Sequence, residues 1–162
     1  ERIRQRIQPL PHQEVFFTTL AYGKLYSLFM DAPAQPLDAL KDKEVLLVTG
    51  IASPAPLMEK VGRHAARVTP LFFGDHHNFD GADMQQIAQQ FRQLPETRRL
   101  ILTTEKDASR LIGHPQLSEE LKPYIYVLPI EVEFLHKGEL VFNPKIIEYV
   151  RKNSRNSCLS EG

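Results

Sequence analysis

The feature that most constrains this chain is an alternation. Short apolar runs rich in β-formers stand between stretches whose apolar residues recur at helical spacing. The runs are residues 45–49 (VLLVT), 67–73, 100–103 and 124–128. Between them lie Leu57, Met58, Val61 and Ala65, then Met84, Ile87, Ala88, Phe91 and Leu94, then Leu111 and Ile112. A run that is apolar at successive positions suits a strand buried on both faces. Repetition of strand and helix at this pace predicts an α/β fold, a parallel sheet of about four strands joined by right-handed crossovers and flanked by helices.

Local signals sharpen the element ends. Ser53 before Pro54 predicts an N-cap followed by proline at the first helical position. Thr104 and Asp107 have the spacing of a capping box, and Gly113 is a natural stop. Residues 14–19 (EVFFTT) read as a further strand. Glu131 and Glu133 alternate with Val132 and Phe134 on a period of two, and Lys137-Gly138 offers a turn into residues 140–142. That pattern predicts an antiparallel hairpin at the C-terminal edge, followed by a helix that Asn143 caps and Pro144 opens, carrying Ile146, Ile147 and Val150.

Ile3, Ile7 and Leu10 already lie at helical spacing, and residues 31–44 hold two prolines among mixed charges. The expected division is residues 1–40 as the end of one domain and its linker, 41–150 as the α/β domain, and 151–162, rich in Ser, Asn and Arg, as a flexible tail.

Composition narrows the function classes. Twenty basic side chains balance twenty acidic ones. A neutral chain lacks the long-range attraction that general nucleic-acid binding uses, so no nucleic acid is expected as partner. Cys158 is the single cysteine, which excludes a disulfide framework and a cysteine zinc site. The apolar runs fall well short of the ~20 residues of a membrane span, so a soluble chain is expected.

Ligands of open α/β sheets collect beyond the carboxyl ends of the strands. Three polar motifs fall at such ends: Thr49-Gly50-Ile51-Ala52, Asp75-His76-His77 and Thr103 to Asp107. Asp75 beside His76 can orient an imidazole to accept or relay a proton. Thr104, Glu105, Lys106 and Asp107 can present hydroxyls, backbone N–H groups and an ammonium to an anion, or simply cap a helix. Gly50 fits a tight strand-to-helix turn. Adjacent histidines rarely chelate one ion, so no metal site is expected, although Asp75, His76 and His77 would be the residues of a metal-dependent hydrolase. No phosphate-cradling G-x-x-x-x-G-K-[ST] loop occurs. A non-catalytic module binding an anionic sugar or nucleotide at residues 104–106 is the alternative to an enzyme.

In order and spacing, GIASPAPL (50–57), DHHNF (75–79) and TTEKDASRL (103–111) resemble the C-terminal part of the tetraacyldisaccharide 4'-kinases of lipid A synthesis. The resemblance implies a membrane-associated P-loop kinase that moves the ATP γ-phosphate to the 4' hydroxyl of tetraacyldisaccharide 1-phosphate at the cytoplasmic face of the bacterial inner membrane. It also implies that ATP and Mg2+ are bound mainly by an N-terminal kinase domain, the partner of this portion, so the chain alone is expected to be inactive. By the same resemblance Asp75 and His76 form the catalytic pair, with His76 assisting a carboxylate of that domain, and His77 falls at a variable position. Gly50, Ile51, Thr104, Glu105, Lys106 and Asp107 are expected at the substrate or phosphate cleft.

Overall fold

The computed structural model describes residues 2–75 and 77–157. The chain forms two compact units, one of Tyr22–Ile130 and one that joins the chain up to Ala21 with the chain from Glu131 onward.

The larger unit is the sheet. Its strands are β2 (Tyr26–Ser27), β3 (Glu44–Thr49), β4 (Arg67–Phe72), β5 (Arg99–Thr104) and β6 (Ile125–Leu128), in the order β2-β6-β5-β3-β4. The last four run parallel, as the apolar runs predict, while β2 lies antiparallel to β6 at the edge. Helices α2 (Ala55–Gly62), α3 (Gly81–Arg92) and α4 (Glu105–Leu111) form the crossovers. Alternation along β3 sorts the core. Leu46 and Val48 join Ile87 and Phe91 of α3 in one cluster, and Val45 and Leu47 join Leu57 and Val61 of α2 in another. Both faces of the strand are therefore dry, which explains its unbroken apolar run.

Asp80 starts α3 with a complete capping box, its carboxylate accepting from the N–H groups of Ala82 and Asp83 while the Asp83 carboxylate accepts from Asp80 N–H. Helix α2 has no side-chain cap of this kind, and Pro54 occupies its cap position where Ser53 was expected.

The smaller unit departs from the sequence reading. The strand expected at residues 14–19 is β1 (Thr18–Tyr22), because Phe16 instead packs its ring against Phe134 and Phe142, at 6.1 and 5.3 Å between centroids. Strand β7 (Ile130–Phe134) pairs with β1. The pair is antiparallel, with Leu135 N–H donating to Phe17 and Gly23 N–H to Pro129.

The predicted hairpin partner, residues 140–142, is helical. It belongs to α5 (Glu139–Ser157), which contains Pro144 rather than starting at it. The turn before it is made by His136 and Lys137 in the left-handed region, with φ of 55° and 58°, and not by Gly138. Helical winding carries Phe142 onto Phe134, at 4.9 Å, which a strand leaving that turn would not secure.

Two boundaries also move. Residues 151–157 continue α5 where a flexible tail was expected, and residues 158–162 lie outside the described residues. The expected boundary near residue 40 falls inside the sheet unit instead, because β2 pairs with β6 and both Leu25 and Leu40 are buried in the core. A six-residue helix, α1 (Arg2–Ile7), begins the smaller unit with no buried residue.

Candidate functional site

Register delivers the motifs to one edge. Leu47 stands opposite Leu102 and Thr49 opposite Phe72, so the carboxyl ends of β3, β4 and β5 finish level. Phe73 N–H donates to the Thr49 carbonyl at 2.9 Å, which extends the β3–β4 ladder up to the residues before Asp75.

Asp107 is the hub of this edge. Its side chain is fully buried. One carboxylate oxygen, Oδ2, accepts from the Thr49 hydroxyl at 2.8 Å, the Thr104 hydroxyl at 2.8 Å and Gly50 N–H at 3.0 Å. The other, Oδ1, has no hydrogen bond but lies 3.8 Å from Arg110 Nη1. Thr104 caps α4 by accepting from Asp107 N–H at 3.3 Å. The expected capping box is therefore present only in its forward arm. Its return arm goes instead to the end of β3, so the first turn of α4 is tied to a strand end 57 to 58 residues earlier in the chain.

Gly50 earns its place by closeness rather than by backbone freedom. No described glycine has a positive φ. A Cβ at Gly50 would stand 3.0 Å from the Gly74 carbonyl oxygen and 3.3 Å from Asp107 Oδ1, so a side chain would force apart the ends of two strands and the helix.

Above the hub, Lys106 Nζ meets Asp75 Oδ1 at 2.5 Å, joining the loop after β4 to the first turn of α4. Both side chains are 37% exposed, so the pair faces solvent at the rim. His76 lies outside the described residues, and its chain neighbours Asp75 and His77 stand at this edge. Glu105 is exposed and faces Tyr26. Burial first, and then the Glu105 charge, push the Tyr26 hydroxyl above its ordinary pKa. The Ile51 side chain is half-buried and packs against the Leu57 and Val61 cluster.

His77 turns inward. Its Nε2 lies 2.6 Å from Asp83 Oδ2, its ring stacks on Phe73 at 4.9 Å, and its carbonyl accepts from Arg110 Nη1 at 3.0 Å. Burial opposes ionisation of Asp83, but donation from Asp80 N–H and the His77 ring outweigh it and hold the carboxyl below its ordinary range. Among the described residues no cluster of His, Cys, Asp and Glu is placed to hold a metal ion.

Sequence reasoning did not find Asp83 and Arg110. The Asp80-x-x-Asp83 spacing was a readable signal for the first, since it has the form of a capping box. For Arg110 the only signal was its i+3 spacing from Asp107. A cavity of about 290 Å³ lined by Leu40, Lys43, Arg99 and Tyr124 lies at the opposite, amino end of the strands, away from these residues.

The family model described as Tetraacyldisaccharide-1-P 4'-kinase matches residues 3–147. Among curated relatives, a tetraacyldisaccharide 4'-kinase of Phocaeicola vulgatus is 50% identical over 159 residues, covering 98% of this chain and 43% of the relative. One of Bacteroides thetaiotaomicron is 47% identical over 167 residues, covering 98% of this chain and 44% of the relative. The chain thus spans less than half the length of the curated relatives it matches. A crystal structure of LpxK from Aquifex aeolicus in complex with ATP aligns with a TM-score of 0.44 and 20% identity, over 84% of this chain and 38% of that one.

Proposed function

The chain belongs to the tetraacyldisaccharide 4'-kinase family, and from that premise we propose that it is the C-terminal part of an enzyme that transfers the ATP γ-phosphate to the 4' hydroxyl of tetraacyldisaccharide 1-phosphate in lipid A biosynthesis. The observation that carries this reading is the 50% identity across 98% of the chain. The edge built by Gly50, Asp75, Thr104, Lys106 and Asp107 supports it, because it holds the Asp75 carboxylate, paired with Lys106, where an α/β sheet receives ligands.

The chain's own residues do not fit an ATP–Mg2+ site. The sequence has no phosphate-cradling loop, and the described residues form no metal cluster. In this reading the nucleotide and Mg2+ are held by the remaining part of the protein, which supplies most of the charge neutralisation that phosphoryl transfer needs. The C-terminal part then orients the acceptor, and Asp75 with His76 forms a proton relay at the rim. Exposed apolar side chains of the smaller unit, Ile3 and Ile7 of α1 and Leu140, Ile147 and Tyr149 of α5, support docking against that N-terminal kinase domain. No described helix is long and apolar enough to cross a membrane, and the membrane association of the whole protein at the inner face belongs to the same proposal.

The test is transfer of radiolabelled γ-phosphate to the lipid acceptor. The full-length protein should label it and the 162-residue chain alone should not. In the full-length protein His76→Ala should lower kcat by about 10^2- to 10^4-fold with little change in melting temperature. Labelling by the isolated chain, or a His76→Ala variant with unchanged kcat, refutes the assignment.

A further inference from the structure

We infer that Lys106 is a positioning residue. Through its ion pair with Asp75, it ties the carboxylate of the proposed relay to the first turn of α4, and it does not serve as a ligand for a substrate phosphate. This inference deepens the kinase reading and rests on it.

Lys106 is the second residue of α4, between Glu105, which is exposed, and Asp107, which is buried. The bonds from the Thr49 hydroxyl and Gly50 N–H to Asp107 Oδ2 fix that first turn against the end of β3, so the Lys106 side chain leaves from an anchored backbone. Its ammonium reaches Asp75 at 2.5 Å and so couples α4 to the loop after β4. An ammonium already committed to a carboxylate offers less charge to a phosphate, and the same pair gives the Asp75 carboxylate a defined place beside α4. Because both partners are over a third exposed, solvent screens the pair and it adds little to folding stability. Its value lies in geometry, and misplacing a reacting group by about 1 Å costs up to ~10^2-fold in rate.

The experiment uses the full-length enzyme with Lys106→Met, Lys106→Arg, Asp75→Asn and the double variant Asp75→Asn/Lys106→Met. The expected result is a fall in kcat of about 10- to 100-fold for Lys106→Met, unchanged KM for both substrates and an unchanged melting temperature. Lys106→Arg should recover most of the rate. Lys106→Met should cost nothing further once Asp75 is Asn. Independently of activity, acetylation of the Lys106 amine by an N-hydroxysuccinimide ester, followed by mass spectrometry, should quicken severalfold in Asp75→Asn.

A Lys106→Met enzyme with raised KM for the lipid and normal kcat would make Lys106 a substrate ligand and overturn the inference. So would equal acetylation rates, or a full additional loss in the double variant. Wild-type enzyme that transfers no phosphate overturns the kinase reading itself, and active wild type with a normal Lys106→Met kcat overturns this inference alone.

Discussion

Replacing Asp107 tests the physical centre of the site most directly. Asp107→Ala removes the acceptor shared by the Thr49 and Thr104 hydroxyls and Gly50 N–H, all in a fully buried position. Bonds to a charged acceptor contribute ~1.5–3 kcal/mol each, and they are not additive here because two hydroxyls can rotate and the cost of burying the carboxylate is relieved. What the deletion leaves is the Gly50 N–H and two hydroxyls buried without their acceptor, at about 1–3 kcal/mol for an unsatisfied donor, so a loss of about 2–4 kcal/mol is expected. For a chain of this size it corresponds to a fall in melting temperature of roughly 5–15 °C. Asp107→Asn keeps one acceptor oxygen and loses the charge, so about half that loss is expected. Urea unfolding of wild type and both variants measures the differences, and hydrogen exchange at Gly50 N–H reports the bond itself. Should Asp107→Ala lie within about 1 kcal/mol of wild type, with Gly50 exchange unchanged, the hub would not hold the strand ends together.

Gly50→Ala should destabilise by ~1–3 kcal/mol in the same unfolding assay, because its methyl would meet the Gly74 carbonyl at 3.0 Å. Asp83 binds its proton more weakly in the folded chain than in the unfolded one, so its contribution is present above the unfolded value near 3.8 and is lost as pH falls through the lower folded value. The stability gap between wild type and Asp83→Asn should therefore hold at neutral pH and shrink in that acid window, and a gap unchanged down to about pH 2 contradicts it. Pro144→Ala should raise helical circular dichroism and stability, since proline sits inside α5 and denies a bond to the Leu140 carbonyl. No change would favour a helix that starts at Pro144.

The sheet was legible because its information is local. Residues 45–48 are apolar at every position, and that continuity follows from burial on both faces, so strand type and parallel order could be read together. The helix carrying Met84, Ile87, Ala88 and Phe91 was legible for the complementary reason, a stripe at helical period. The C-terminal region was not. Leu140, Val141 and Phe142 are too few to show a period, and what decides their winding is contact of Phe142 with Phe16 and Phe134, one of them far away in sequence. The site divides along the same line. Thr104 with Asp107 announced a cap within four residues, whereas the bonds from Thr49 and Gly50 depend on the register of β3 against β5, which no local pattern carries.

The length of α4 explains why a stabilising residue and a positioning residue are neighbours. A helix of seven residues is well below the ~12–15 at which an isolated helix becomes even marginally stable, so its first turn needs an external anchor. Asp107 supplies it by reaching across to Thr49 and Gly50, and only a turn fixed in that way can aim Lys106 at Asp75. The dependence therefore runs in one direction. Loss of Asp107 should loosen the Lys106–Asp75 pair and lower both stability and turnover, while loss of Lys106 should leave the Asp107 bonds and the fold intact. A Lys106→Met chain whose Gly50 N–H exchanges as fast as that of Asp107→Ala would reverse this order and make the rim pair the anchor.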